Sequence, residues 1–596
     1  MIRETHSFDF VVVGGGMSGL CAAIAAARHG AKTALIHARP MLGGNASSEM
    51  RMHICGADDH MSRPNARETG IIEEILLEHK RRNPTNSYPV FDTILWEKAA
   101  FCENLTLYLN TCVDGVSMKD GRIHAVTAYQ QTTEKRLTFE APLFADATGD
   151  GSLGAWAGAD YVVGREARDT YGEEHAPEKA DHYTMGNSLM FKARDAGHPV
   201  KFVKPSWANT YTEHDLRNRI HEDITSGYWW IELGGGHFHT INDAEILRDE
   251  LLKAVYGVWD HIKNGGDHGA ENMDLEWVGT LPGKRESRRL LGDYVLCEQD
   301  CVSGRRFEDA VAYGGWPMDV HTVEGFLNDS DEPTVWMHLD DVYTIPYRCF
   351  YSRNVVNLFI CGRIISASHM AFASARVMAT CAIGGQAVGT AAAMAVKGSM
   401  LPRDVNAHIH ELQQTLLRDD CYIPGIQNED EQDLMRSATV QANAWLPGCE
   451  AENVVNGVAR TVGEAYNCWA ACVADAPKLT IQWEQPQCIR YLHFVFDSNL
   501  SREITISINK EVLGRQSEST PPELIRAFKV VLERDGKPVK ERVVDDLSQR
   551  KVVLDLEKEI ACDRMMVEKF ETYGSGCVKV FEIRAYSQNR ETEFGR

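Results

Sequence analysis

A chain with a formal charge of −23 carries one dense basic run, Lys284-Arg285-Glu286-Ser287-Arg288-Arg289, directly after Leu281-Pro282-Gly283. A guanidinium presents several donors in a fixed fork. Arg285 and Arg288 are therefore candidates to orient a substrate oxygen, against the alternative of a salt-bridged or solvated face. Farther on, Trp316-Pro317-Met318-Asp319-Val320-His321 ends in an imidazole, and His369 follows later. Histidine ionises near neutral pH, so each could move a proton to or from a substrate; the competing role is that of a structural hydrogen-bonder. The surrounding stretch, 161–343, is rich in aromatic residues and histidine: Trp207, Trp229, Trp230, His237, His239, Trp259, Trp277, Trp316 and Trp336. His237 and His239 alternate as on a strand, but no carboxylate accompanies them at ligand spacing, and no metal is expected.

The beginning of the chain shows what such groups would work with. Residues 8–13 are almost continuously apolar, as in a parallel strand buried on both faces. Gly14-Gly15-Gly16-Met17-Ser18-Gly19 follows, then an Ala-rich helical stretch at 20–29, a stop at Gly30 and a second strand at 31–36. In this layout Gly14 permits a tight turn, Gly16 lets backbone amides approach a pyrophosphate, and Gly19 lets the helix pack closely on the strand. The helix N-terminus, with Met17 and Ser18, offers unpaired N–H groups and partial positive charge to phosphates. A dinucleotide is expected. The acidic residue usual at the end of the second strand is missing; His37 holds that place, with Arg39 just beyond.

Three further passages carry a family resemblance. Leu42-Gly43-Gly44-Asn45-Ala46-Ser47-Ser48-Glu49-Met50-Arg51-Met52-His53 sets two glycines before small polar residues. Leu143-Phe144-Ala145-Asp146-Ala147-Thr148-Gly149 is a strand ending in Ala-Thr-Gly. Asn357-Leu358-Phe359-Ile360-Cys361-Gly362-Arg363 ends at a glycine and precedes a helix containing Gly384-Gly385-Gln386. Together with the first motif they resemble the FAD-dependent oxidoreductases with a glutathione-reductase-like flavin domain, distantly similar to the fumarate reductase group. The resemblance implies bound FAD. It implies that Gly43, Gly44, Asn45 and Ser47 line the cofactor, and that Glu49, Arg51 and His53 approach the reactive ring, which adds His53 to the proton-transfer candidates. Ala147, Thr148, Gly149, Gly362 and Arg363 would supply further contacts. The helix around Gly385 and Gln386 would point its N-terminus at the pyrimidine ring, where reduced flavin carries negative charge.

The fold expected is an α/β Rossmann-like FAD-binding domain with an inserted α+β substrate domain, followed by an all-β jelly-roll sandwich. The flavin domain would cover 1–160 and 344–400, the cap 161–343, a helical connector 401–437 and the sandwich 438–596. Spaced strands are expected at 479–483, 491–496, 503–508, 528–533, 552–556, 564–568 and 578–586. Asn453-Val454-Val455-Asn456-Gly457, Trp469 and the strand at 479–483 resemble galactose-binding-like (discoidin-type) domains, which implies a sugar-binding module or a spacer. The net charge disfavours nucleic acid and anionic membrane surfaces. The apolar run 371–396 is interrupted by Arg376 and several glycines and reads as a buried helix, so no membrane span is expected. Sixteen scattered cysteines without a C-x-x-C pair, and no visible secretory signal, suggest reduced thiols and a cytoplasmic location.

These readings converge on hydride transfer between flavin and a small oxygenated substrate. Oxidation of a carbohydrate or polyol hydroxyl is the first expectation. Reduction or formation of a C=C bond beside a carboxylate is the alternative, and a glycan-binding module with a structural flavin fold is the reading from another class. No second dinucleotide motif follows a strand, so the electron acceptor is unidentified, and homo-oligomer formation stays open.

Overall fold

The computed structural model describes residues 2–588 apart from residue 267. Phe10–Val13 is buried along its whole length and lies at the centre of a five-stranded parallel sheet. The sheet order is Leu358–Ile360, Leu143–Asp146, Phe10–Val13, Thr33–Ile36, Leu105–Tyr108. A late strand thus sits beside an early one, and the turns that follow both open at the same sheet end. In open parallel sheets that end is where ligands bind.

The first helix, Met17–Arg28, begins directly after Gly16 and is buried on nearly every face. Only a close neighbour can cover so small a set of side chains, and Met378–Gly398 does so. A Cβ at Gly385 would stand 2.1 Å from the Ser18 carbonyl oxygen, and one at Gly389 2.1 Å from that of Ala22. These glycines let two helices meet backbone to backbone. Among the described residues Met378–Gly398 is the only helix long and apolar enough to cross a membrane, and it lies inside the protein.

A four-stranded sheet covers one side. Its hairpin joins Arg122–Gln130 to Lys135–Glu140; its edge, Ile2–Ser7, pairs in parallel with Lys135–Glu140. The region expected as the cap has a core of its own, in which Phe191 and Trp230 pack with Leu251, Val255 and Trp259 of the long helix Ala244–Asn264. Ala310–Gly314, inside the expected cap, pairs with Tyr343–Pro346 at its boundary, and both contribute to the main core.

Seven strands form the C-terminal all-β sandwich around Trp469, Trp483, Phe494 and Phe528. Leu479–Phe496 and Lys551–Thr572 are each one continuous strand where the sequence suggests two. Irregular register between them lets each bend without ending. Residues 503–508, expected as a strand, belong to none. Ile504, Ile506 and Ile508 leave the sandwich and join the main core of the parallel-sheet domain.

Candidate functional site

A cavity of about 730 Å³ opens at the ends of the parallel strands. One part of it is a glycine cradle made by Gly14 to Gly19, His37 to Arg39, Gly43 to Asn45, Ala147 to Asp150, Gly362 and Arg363. Gly14 has φ +113°, and a Cβ there would stand 2.1 Å from the Ala147 carbonyl oxygen. Gly16 differs: a Cβ would meet nothing within 4 Å, so its backbone faces open space. His37 Nδ1 accepts the Gly15 N–H at 3.0 Å, which leaves the proton on Nε2. Nε2 is buried and unpartnered, and burial pushes the imidazole down to about 4. A buried neutral donor on a cavity-lining residue therefore stands where an acidic acceptor is usual. Arg39 is held by Glu49 through two hydrogen bonds of 3.1 and 2.6 Å. Asp150 receives Lys284 at 2.6 Å and Arg363 at 3.2 Å. Burial would raise its carboxyl, but these two cations outweigh it and hold it low. Two cations against one anion leave this wall positive.

The other part is polar and aromatic. His53, Cys55 and His60 face Trp229, Trp316, Trp336, Asp319, His321 and Arg376. His60 Nε2 lies 4.0 Å from Cys55 Sγ, and its Nδ1 lies 3.3 Å from Glu503 Oε2. Glu503 comes from the excursion of the sandwich, which also places Asn509, Glu511, Val512 and Arg515 in the wall. Burial would raise the Cys55 thiol, but His53 and His60 outweigh it and bring it to about 6. Burial would lower His60, but Cys55 and Glu503 lift it to about 11. Cys55 and His60 thus favour one another's charged forms, thiolate and imidazolium, with Glu503 behind His60. Trp316 packs edge-on to His60 at 5.0 Å and to Trp336 at 5.8 Å, and its buried Nε1 has no partner.

Beside them is a buried charge network. His321 Nδ1 lies 2.6 Å from Glu232 and Nε2 3.0 Å from Asp319. Arg285 lies 3.3 Å from Glu232 and donates to Ser188 and to the Trp229 carbonyl. Arg376 donates to Asp319 at 2.7 Å. Burial alone would raise Asp319, yet His321 and Arg376 hold it far below the usual carboxylate range.

The family model for FAD dependent oxidoreductases matches residues 9–416, more than half of the chain. The chain belongs to this family. Its members' cofactor is FAD, and the cradle suits it. Ser18 Oγ, His37 Nε2 and Arg363 Nε are buried polar atoms without partners, each on a residue lining the cradle. Space stands open over Gly16, and the wall at Arg363 and Lys284 is cationic, as phosphates require. No curated protein matches the flavoprotein. Among solved structures it is similar to a fucose binding module of Streptococcus pneumoniae, at 12% identity and TM-score 0.19, over 25% of this chain and 91% of that one. Another is the lectin domain of lectinolysin complexed with Lewis B antigen, at 12% identity and TM-score 0.21, over 26% and 98%. A third is the family 32 CBM from C. perfringens NanJ in complex with galactose, at 12% identity and TM-score 0.19, over 25% and 94%.

Several residues expected at the flavoprotein's site lie elsewhere. Ser47 is fully buried and accepts the Glu49 N–H. Arg51 stacks on Trp277 at 4.3 Å, because a cation with a long apolar stem packs well on an indole face. Glu49, expected near the reactive ring, does line the cavity but is paired with Arg39. Gly385 and Gln386 serve helix packing: Gln386 Oε1 accepts the Ile71 N–H at 2.8 Å. The helix starts earlier, so Val377 and Met378 line the cavity. Arg288 donates to the Asp150 carbonyl and stacks on Tyr161, outside the cavity lining. His369, also outside it, is fixed by Glu286 at 3.0 Å and by its N–H to Glu166. His237 pairs with Glu324 and His239 caps a turn; neither lies on a strand. Met17, His53, His321 and Arg285 do line the cavity. Sequence reasoning missed Cys55, His60, Glu503 and Arg376. The pattern His53-x-Cys55-x₄-His60 was there to be read; Glu503, 443 positions from His60, gave no signal.

Proposed function

We propose that the protein is an FAD-dependent dehydrogenase that oxidises a hydroxyl of a carbohydrate or polyol. The bound flavin supplies two-electron chemistry to the substrate carbon. The observation that carries the proposal is the composition of the cavity's second part: three tryptophans, one with an unpartnered buried N–H, beside charges already paired with one another. Indole faces suit the C–H faces of a sugar, and the Trp316 N–H and His53 suit its hydroxyls. His53 is the proton acceptor in this reading. Cys55, as a thiolate, gives the imidazolium so formed a counter-charge, while Glu503 fixes His60. Oxidation beside a carboxylate would require a cation for the substrate anion. Arg285 and Arg376 are each matched to a buried carboxylate, so neither stands ready for one, which favours a neutral substrate.

The test is anaerobic addition of sugars, polyols and unsaturated or saturated acids to the flavin-loaded protein, followed by visible absorbance. Bleaching by a sugar or polyol is expected. Bleaching by a saturated acid alone, or reoxidation of dithionite-reduced protein by an enoate with no response to any sugar, would overturn the reading.

A further inference from the structure

The cap contains a cluster that the proposed reaction does not use. Glu213, His221, His261 and His268 each bring one ligand atom to a common point, all within 4.8 Å of one another. His261 lies near the end of the helix Ala244–Asn264 and His268 just beyond it. Glu213 and His221 come from the irregular stretch before the strand Ser226–Gly227. Glu213 Oε1 lies 3.1 Å from His261 Nε2 and 3.2 Å from His268 Nε2, and those two nitrogens are 3.2 Å apart. Glu213 Oε2 lies 3.5 Å from His221 Nε2.

Neutral imidazoles do not make every contact in this arrangement favourable. In the triangle of Oε1 and two Nε2 atoms, neutral imidazoles leave at least one edge with lone pairs or N–H groups opposed. His221 adds to the difficulty. Its Nδ1 lies 2.5 Å from the Arg219 carbonyl and so carries the ring proton, which turns the Nε2 lone pair of a neutral ring toward a carboxylate. A cation at the centre makes every contact attractive. A tetrahedral metal with bonds of about 2.0–2.1 Å to nitrogen has ligand–ligand edges of about 3.3 Å, and the three separations among Glu213 Oε1, His261 Nε2 and His268 Nε2, 3.1, 3.2 and 3.2 Å, lie close to that value. The Nδ1–carbonyl bond of His221 is the usual outer support of a metal-bound imidazole.

We infer that Glu213, His221, His261 and His268 form a closed, structural zinc site. Three imidazoles and one carboxylate suit zinc and exclude the oxygen-only coordination of magnesium or calcium. The site fastens the stretch 213–223 to the end of the long helix. That stretch is tied in turn to the cavity: Tyr228 Oη donates to the His221 and Asp223 carbonyls, and Trp230 Nε1 donates to that of Ile220. Between them stands Trp229, which lines the cavity. In this account the metal holds one aromatic wall of the substrate region in place without touching the reaction.

Elemental analysis of the flavin-loaded full chain, prepared without an affinity tag rich in histidine, is expected to find one zinc ion per molecule. Cobalt substituted for zinc should give the visible bands of a four-coordinate ion without a thiolate charge-transfer band. Glu213→Gln, on an exposed face, should weaken zinc binding at least 10-fold while the flavin spectrum is unchanged, and His268→Ala should abolish it. Cys55→Ser should leave the metal content as it was. A flavin-loaded protein that holds no zinc and takes up no cobalt overturns the inference. So does a metal that Cys55→Ser removes and His268→Ala does not, since that would place it at His53, Cys55 and His60. None of these readouts depends on turnover, so the zinc site and the proposed dehydrogenase activity can fail separately.

Discussion

At the cradle end of the cavity, nearly every contributing residue lies on a turn that leaves a strand of the parallel sheet: 14–19 after Phe10–Val13, 37–39 after Thr33–Ile36, 147–150 after Leu143–Asp146, and 362–363 after Leu358–Ile360. At the polar, aromatic end, the proposed substrate end, side chains come from 53–60, from Trp229, from 316–321, from the start of Met378–Gly398, and from an excursion of the C-terminal sandwich. The first end is backbone geometry, which glycines and short motifs encode locally. The second is a convergence of side chains that share no segment, and its electrostatics exist only once Glu503 has been brought to His60. The difference teaches that the cofactor end and the substrate end should respond to mutation separately.

The sharpest break is expected at Gly14. Gly14→Ala adds a Cβ 2.1 Å from the Ala147 carbonyl at φ +113°, a strain and overpacking cost of roughly 2–6 kcal/mol. Loss of bound flavin and a lowered Tm are expected, measured by absorbance and calorimetry. Next, Glu503→Gln should lower kcat by about 10²-fold with flavin content unchanged; flavin loss in that variant would show that the two ends are not separable. Titration of the Cys55 thiolate, read as ultraviolet absorbance against Cys55→Ser, should show a midpoint near 6 instead of the ordinary 9.0. Because the folded value is depressed, the thiolate's contribution to stability is complete above the unfolded value and is lost as pH falls through about 6. Activity should fall across the same acid limb. Trp316→Phe keeps an aromatic face and removes the unpartnered N–H; a loss of about 10-fold in kcat/KM is expected, one hydrogen bond's worth. Arg288→Ala, outside the cavity, should change kcat/KM by no more than about 2-fold and destabilise by about 1 kcal/mol through its lost carbonyl bond.

Much of the cradle was legible because its signals are short-range. An unbroken apolar strand, a glycine where φ is positive and an Ala-rich helix state their roles within twenty residues, and the family resemblance extended them to 147–149 and 362–363. The misreadings at that end share one cause. Ser47, Gly385 and Gln386 are small or polar residues in the right segments, and a segment does not say which way a residue faces. Gly385 looks the same whether it makes room for a ligand or for Ser18. Arg51 and Arg288 found aromatic rings to stack on, and His369 found Glu286; partners of this kind are invisible until the chain folds.

The sequence by itself determined the parallel-sheet dinucleotide-binding domain and the all-β character of the C-terminal region, because strand burial, helix contact and phosphate approach depend on residue types at fixed short spacings; FAD followed from the family resemblance, which the family model bears out. Only the tertiary structure decided which imidazoles act together. His60 with Glu503, His321 between Glu232 and Asp319, and the three cap histidines around Glu213 each join residues from separate elements, and the charge that one carries depends on distances of three to four ångströms that no spacing along the chain encodes.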